Sequence, residues 1–586
     1  MFHPEQKLPN GTAKGMMQMA LSRRMGVSLL AISAFGLGSA VVGLASQHAA
    51  AQTVARAQVS ERVTETRLEG AARTQPPAIT ALQKGASGAS DLGAAILAHL
   101  NNLARAESVR ENDDITAIKA FYAMRDGAPL WFTPAGINND GLAVLHVLKT
   151  AGAFGLDGDE YAIPLAVLAD IENDAAKADL EIAITKRALA YAQDARGARV
   201  DPSQLSYEIF VERPLIAPST ILTDLLVAKD RAAYLQGLHP KHEQFALLKA
   251  ALAERRATDR TGLKRREVRR LDNEIERISL NMEFWRWLPE SLGARHVIAN
   301  IPEFRVRLFK DGDILFSERV IVGKPSTQTP LFSDEMDHLI FRPFWGVPNS
   351  IKVKKLLPGL LRGRDAVAAN GLKLKRGSRY VSARSIDWSR NDIRNFAVYQ
   401  PPGPGNALGN VKFMFPNKHA IYMHDTPSKH LFNSKQRLYS AGCVRVRNPD
   451  EFAKVLLKLS NGWPEARTAA AFKRGPDDDR VDFDTKLPVH IGYFTAWVDP
   501  KTKDVAFFDD VYKHERHLRF ALAGDYNRIV RVKRSVAADI QSIRESVEPV
   551  SDRGTPGSFW FSSRGSSGAA NVPRSVWARE AFSSDN

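Results

Sequence analysis

Apolar residues recur every three or four positions from about Ala94 to Gly237, as in Ile96-Leu97-Ala98-His99-Leu100 and Leu142-Ala143-Val144-Leu145-His146-Val147-Leu148. That spacing lines one face of a helix, so residues 94–238 are read as a helical domain. Within it, Phe121-Tyr122 and Pro129-Leu130-Trp131-Phe132 gather aromatics suited to a helix end packed into a core. From His239 to Asn281 the pattern stays helical but becomes charged, with Glu254-Arg255-Arg256 and Lys264-Arg265-Arg266-Glu267-Val268-Arg269-Arg270. Such a run reads as a solvated helix face laced by i,i+4 pairs, with phosphate or lipid binding as the sharper alternative. It gives a connector over 239–290. After Pro289 short β-rich runs take over, including Val297 to Ile301, Phe304 to Phe309 and Ile314 to Val322, with Lys310-Asp311-Gly312-Asp313 as a hairpin turn. Further strands are expected around 413–423 and 489–498, and a short helix at about 449–459. The fold class is α+β and multidomain: a mainly helical N-terminal domain followed by a mostly β domain over 291–517. Residues 352–409, rich in Lys, Arg, Gly and Pro, are long enough for an inserted lid or binding loop.

The ends of the chain differ from both domains. Arg23-Arg24 precedes an uncharged run from Gly26 to Ala45, and small residues lead to Ala49-Ala50-Ala51. This order of basic, apolar and small-residue segments reads as a secretory signal over 1–51, or as an uncleaved membrane anchor, since the run is also long enough to span a bilayer. Residues 52–93 have few large apolar side chains and read as a disordered linker, and the basic, then Ser- and Gly-rich stretch 518–586 as a disordered tail. The formal net charge is +16. A balance of that sign favours acidic surfaces such as nucleic acid, anionic lipid or an anionic wall polymer, and export argues against nucleic acid. The expected location is the periplasm, with membrane contact only through an uncleaved anchor.

Cys443 is the only cysteine among 586 residues. A free cysteine is among the most buried residue types and often only fills space. In an oxidising compartment structural cysteines come in pairs, however, and an odd one marks a reactive thiol or an intermolecular partner. The local company points to reactivity: Ser440-Ala441-Gly442-Cys443-Val444-Arg445 follows His424, which lies in the apolar run Ile421-Tyr422-Met423-His424. A thiol beside an imidazole can pass its proton across and become a nucleophile. The other histidines of this domain, His338, His419 and His430, have no spacing that commends them and are expected on the surface or in loops. No cluster has zinc or calcium spacing, so no metal and no other cofactor is expected.

The stretch Ile421 to Pro427, with Leu431-Phe432 and Ser440 to Val446, resembles the signature of the YkuD-type L,D-transpeptidases, and more narrowly the large YcbB-like periplasmic members. The same order continues in Trp285 to Pro289, Val322-Gly323-Lys324 with Gln328-Thr329-Pro330, Trp345-Gly346-Val347-Pro348, Gly405 to Gly409 and Tyr493 to Trp497. The resemblance implies a helical scaffold domain followed by a β-sandwich catalytic domain that cross-links the tetrapeptide stems of peptidoglycan. It implies Cys443 as nucleophile, His424 as general base and acid, an oxyanion site at backbone N–H groups around Gly442 and Cys443, and a turn tightened by Ser440. Ionisation of Cys443 would be favoured by an imidazolium partner and by Arg445, which would hold the substrate carboxylate or brace the loop. Tyr422 and Trp345 would line the cleft, and His424 would be oriented by a backbone carbonyl, leaving Asp425 structural. Attachment of an envelope protein through its lysine, hydrolysis of the thioester, or a non-catalytic wall-binding scaffold are the alternatives. The peptidoglycan-binding helical module of the large members has no counterpart between the two domains, which would leave wall capture to the basic lid and tail.

Overall fold

The computed structural model describes residues 91–531 except 107, 165–170 and 172, together with 540 and 542–544. The segment expected as signal or anchor, nearly all of the linker and most of the tail lie outside the described residues. Among the described residues no helix is long and apolar enough to cross a membrane.

The helical domain is built from α1 (Asp91–Asn102), α2 (Val109–Ala123), α3 (Asn139–Lys149), α4 (Asp174–Gly197), α5 (Pro218–Val227) and α6 (Arg231–Gly237). The starts are set by side-chain caps: Ser108, Asn138 and Asn173 accept from the N–H groups of Glu111, Gly141 and Ala176, satisfying donors that a helix leaves open. The long α4 is the centre of a core with Ile96, Ile118, Tyr122, Trp131, Leu148 and Leu189. Glu181 of α4 is fully buried and accepts from the Tyr122 hydroxyl at 2.6 Å and from Trp131 N–H at 3.0 Å. The aromatic segment is thus fixed to α4 by a buried carboxylate as well as by packing.

The charged connector differs from a single solvated helix. It consists of α7 (Glu243–Ala257) and α8 (Arg265–Trp285), packed on each other. The break has a local cause, an Asp259 side chain that accepts from Thr261 N–H and a Gly262 at φ +79°. Phe245, Leu248 and Leu252 of α7 and Ile278, Met282 and Trp285 of α8 belong to the core of the β domain. Only the outer faces of the two helices carry the Arg and Glu residues noted in the sequence.

The main sheet of the β domain has nine strands among the described residues: β1 (Arg295–Asn300), β2 (Arg305–Lys310), β3 (Asp313–Gly323), β4 (Phe332–Phe341), β5 (Val411–Met414), β6 (Met423–His424), β7 (Leu438–Ser440), β8 (Val444–Val446) and β9 (Asp479–Gly492). Their order is β7-β3-β8-β6-β5-β4-β9-β1-β2, and β3 also pairs with β2. The first part of β3 follows β2 and its last residues follow β8 and β7, so one long strand joins the two ends of the sheet. Helix α9 (Pro449–Asn461) lays Phe452, Leu456 and Leu457 into the core.

Residues 352–409 are more than a loop. With Trp345–Gly346 they form a four-stranded sheet, Trp345–Gly346, Ala397–Gln400, Lys373–Arg376 and Arg379–Tyr380 in spatial order. Val353, Leu356, Leu374, Ile393 and Val398 give the inserted lid its own core. The boundary drawn at 518 is also displaced. Helix α10 (His514–Leu522) crosses it with Leu518 fully buried, His517 Nδ1 lies 3.1 Å from the Leu205 carbonyl, and Arg277 Nε donates to Glu515 at 3.1 Å. Further along, Ile540 packs into the lid core.

Candidate functional site

The geometry of the site follows from a two-residue strand. β6 and β8 are parallel, with Met423 opposite Val444 and His424 opposite Arg445, and Val444 N–H donates to the Tyr422 carbonyl at 3.1 Å. Side chains alternate along a strand. Met423, Val444 and Val446 therefore enter the core, where all three are fully buried. Tyr422, His424, Cys443 and Arg445 are left on the opposite face together. The alternation that anchors the strand pair in the core also gathers four chemically distinct groups.

Cys443 is a free, half-buried thiol. Its Sγ lies 3.8 Å from the Ala420 carbonyl and against the backbone and hydroxyl of Tyr422. Burial pushes the thiol up to about 11, against the opposing pull of Tyr422 and of the Arg445 charge. His424 is buried, and Nδ1 is held by the Asp425 backbone carbonyl. A carbonyl accepts only, so Nδ1 carries the proton and Nε2 presents its lone pair; Nε2 has no protein partner among the described residues. Burial, then the neighbouring Arg445 guanidinium, pushes the imidazole down to about 3. Burial thus disfavours the charged form of each group, and no hydrogen bond joins the two to offset it.

The turn before the thiol is tight. Ser440 Oγ donates to the Cys443 carbonyl at 2.6 Å and accepts from Gly442 N–H at 3.1 Å. Gly442 sits at φ +129°, a conformation that side chains resist. With the Gly442 N–H given to Ser440, the Cys443 N–H, like that of Ala441, is left without a protein partner among the described residues. The carboxylate of Asp425 accepts from Asn410 N–H at 2.9 Å, from Thr426 N–H at 2.6 Å and from Lys429 Nζ, so it is spent on the loop and stays away from the imidazole.

The Arg445 side chain makes no hydrogen bond to protein among the described residues, and its buried Nε is unpartnered. Trp345 is buried in the lid sheet opposite Gln400, and Tyr422 packs against the same lid core. Tyr422 therefore stands between lid and thiol, with Trp345 behind it. His338 is buried on β4 beside Asp337, contrary to a surface place, because its strand lies inside the sheet. His419 lies in the loop before β6, its ring 3.9 Å from that of Phe210.

Sequence reasoning missed Thr329 and Tyr512. Thr329 Oγ1 donates to the Gly442 carbonyl at 2.6 Å, and the Tyr512 hydroxyl accepts from Thr329 N–H at 3.2 Å. The Gln328-Thr329-Pro330 run was visible as a pattern, but its distance from the thiol in sequence hid what it touches.

Residues 116–252 match the model of the Scaffold domain, and residues 294–472 that of the L,D-transpeptidase catalytic domain, YkuD. A Haemophilus influenzae protein provisionally named an L,D-transpeptidase is 32% identical over 253 residues, 42% of this chain and 50% of its own length. The chain thus spans about half the length of this curated relative. Among solved structures, an L,D-transpeptidase from Mycobacterium smegmatis is 13% identical, covering 34% of this chain and 58% of its own, with a TM-score of 0.16. The Ldtfm–avibactam carbamoyl enzyme is 11% identical, covering 60% and 97%, with a TM-score of 0.17. The two domain models match in chain order: the chain carries a YkuD L,D-transpeptidase catalytic domain behind a Scaffold domain.

Proposed function

We propose that the protein is a peptidoglycan L,D-transpeptidase with Cys443 as nucleophile and His424 as general base and acid. The observation that carries this reading is the common face of Tyr422, His424, Cys443 and Arg445 within residues matched as an L,D-transpeptidase catalytic domain. Sγ attacks the carbonyl carbon between the third-position diaminopimelate and the following D-alanine of a tetrapeptide stem. The thiol proton passes to His424 Nε2 as the S–C bond forms. The oxyanion faces the Cys443 N–H, an unspent donor of a turn held by Ser440 and Gly442. Collapse breaks the C–N bond, His424 returns the proton to the departing D-alanine amine, and a thioester remains. An amine of a second stem then attacks the thioester, His424 takes its proton, and the thiol is restored.

Arg445, whose guanidinium has no hydrogen-bond partner among the described residues, suits a substrate carboxylate better than a brace. Tyr422, with Trp345 behind it, forms the lid side of the cleft. The substrate lies outside the cytoplasm, in keeping with the order of segments in residues 1–51, and the positive charge of the chain suits an anionic wall.

The test is covalent. Incubated with a tetrapeptide donor or a carbapenem, the protein gains the mass of the acyl group, and Cys443→Ala does not; an unmodified wild type, or an equal adduct on Cys443→Ala, defeats the reading. Digested sacculi then identify the acceptor: dimers joined through two third-position residues mean transpeptidation, loss of D-alanine without dimers means hydrolysis, and stems on a protein lysine mean anchoring.

A further inference from the structure

A closed ring of buried hydrogen bonds holds the nucleophile turn from behind. Thr329 is fully buried; its Oγ1 accepts from Gly323 N–H at 2.9 Å and donates to the Gly442 carbonyl at 2.6 Å. Its own N–H donates to the Tyr512 hydroxyl at 3.2 Å, and that hydroxyl donates to the Gly323 carbonyl at 2.6 Å. Tyr512 is fixed in turn. Its N–H donates to the Tyr493 hydroxyl at 2.8 Å, which donates to Asp510 at 2.6 Å, and the two tyrosine rings stack at 6.0 Å. The ring closes only on a glycine at 323, where a Cβ would lie 2.0 Å from the Thr327 carbonyl.

The consequence lies in one peptide plane. The Gly442 carbonyl and the Cys443 N–H belong to the same amide, and in a trans peptide they point in opposite directions. A hydroxyl that pins the carbonyl into the interior therefore aims the N–H outward, to the side where Sγ meets a substrate carbonyl. Glycine at 442 makes such pinning necessary, since it leaves the plane free to rotate. Ser440 does not supply it, because its hydroxyl engages the Gly442 N–H and the Cys443 carbonyl, the groups of the two flanking amides.

We infer that Thr329 is a positioning residue: through the Gly442 carbonyl it orients the Cys443 N–H as the oxyanion donor, with Tyr512 holding Thr329 in place. The inference rests on the proposed acyl transfer. It separates two reactions of the same thiol, since opening a carbapenem passes through an oxyanion and alkylation by iodoacetamide does not.

The experiment measures both rates, with melting curves, on the full chain. Thr329→Val, which removes the hydroxyl at nearly constant volume, is expected to slow carbapenem acylation about 100-fold, the scale of one lost oxyanion donor, while alkylation of Cys443 stays near the wild-type rate. Thr329→Ser keeps the hydroxyl and restores acylation. Tyr512→Phe slows acylation to a lesser degree, again without slowing alkylation, and carries the test if Thr329→Val does not fold. Acylation at the wild-type rate in the folded variants, or acylation and alkylation falling together, would overturn the inference while leaving the proposed function intact. A wild type that is alkylated but never acylated would remove the proposed function and this inference with it.

Discussion

His424 and Arg445 are register partners across the parallel pair of β6 and β8, so a permanent cation stands beside the imidazole. After burial, Arg445 is the second cause holding His424 low, and its charge also favours the thiolate of Cys443. Arg445→Met keeps the length and removes the charge. Both groups are expected to titrate at higher pH in the variant, so alkylation of Cys443 at a fixed pH slows and its pH profile moves to the right. Binding of a stem should weaken as well if Arg445 receives the substrate carboxylate, seen as a raised KM. A profile and KM like those of the wild type would assign Arg445 no part in either.

The pH dependence of the site has two limbs with opposite signs. His424, pushed down to about 3 from 6.5, stays neutral in the folded protein where the unfolded chain binds a proton. Its contribution to stability is complete above about pH 6.5 and is lost as pH falls toward about 3. Cys443, pushed up to about 11 from 9.0, keeps a proton that the unfolded chain has released, so the folded state loses ground as pH rises from about 9 to about 11. Iodoacetamide alkylation should therefore be slow at pH 7 and climb through that upper range, while the rate of acylation at pH 5 stays close to that at pH 7 because the base is still neutral. Alkylation that levels off below pH 7 would instead reveal a preformed ion pair.

Gly442 is tested by a single methyl group. At φ +129° an alanine is strained, and its Cβ would lie 3.2 Å from Ile421 Cδ1. Gly442→Ala is expected to cost about 1–3 kcal/mol of stability through backbone strain. Relief of that strain turns the following amide, so carbapenem adduct formation should fall by at least about tenfold even in protein that remains folded. Melting curves and intact mass against time give the two readings. An alanine variant that acylates at the wild-type rate would show that the turn does not depend on this backbone conformation.

What the sequence made legible was the local part of the site. The alternation around Met423 and Val444 and the company of Cys443 are short-range features, and the structure keeps them in one strand pair. Contacts closed over long separations were hidden: Thr329 meets Gly442 across 113 positions and Tyr512 meets Gly323 across 189, and no periodicity announces a single hydroxyl at its partner. The lid was legible as an insertion but not as a folded unit, since Leu372 and Leu374 alternate within a background of Lys and Arg and Val398, the partner of Leu374, lies more than twenty positions away. The connector misled for the converse reason. Its many charges occupy the outer faces of α7 and α8, while Phe245, Leu248 and Trp285 recur at wider spacing and face the core.

Ile540 offers a test of whether a residue from the tail helps hold the lid together. Its side chain is 8% exposed within the lid core, Ile543 packs beside it, and Arg544 Nη2 donates to the Asn391 carbonyl at 3.1 Å. The lid sheet has short strands, two of them of only two residues, so each apolar side chain added from outside counts for more than it would in the large β core. Ile540→Ala is expected to destabilise the lid by about 2 kcal/mol, the lower end for such a truncation in a small core. Local opening should then be more frequent in Trp345–Gly346 and Ala397–Gln400 than in β4 and β9, whose packing does not involve Ile540. Hydrogen exchange read by mass spectrometry would show faster exchange confined to the lid peptides. Since Tyr422 packs against that same core beside Cys443, a loosened lid should also raise KM for a stem peptide with little change in iodoacetamide alkylation. Unchanged exchange in the lid would mean that the burial of Ile540 adds nothing to its stability.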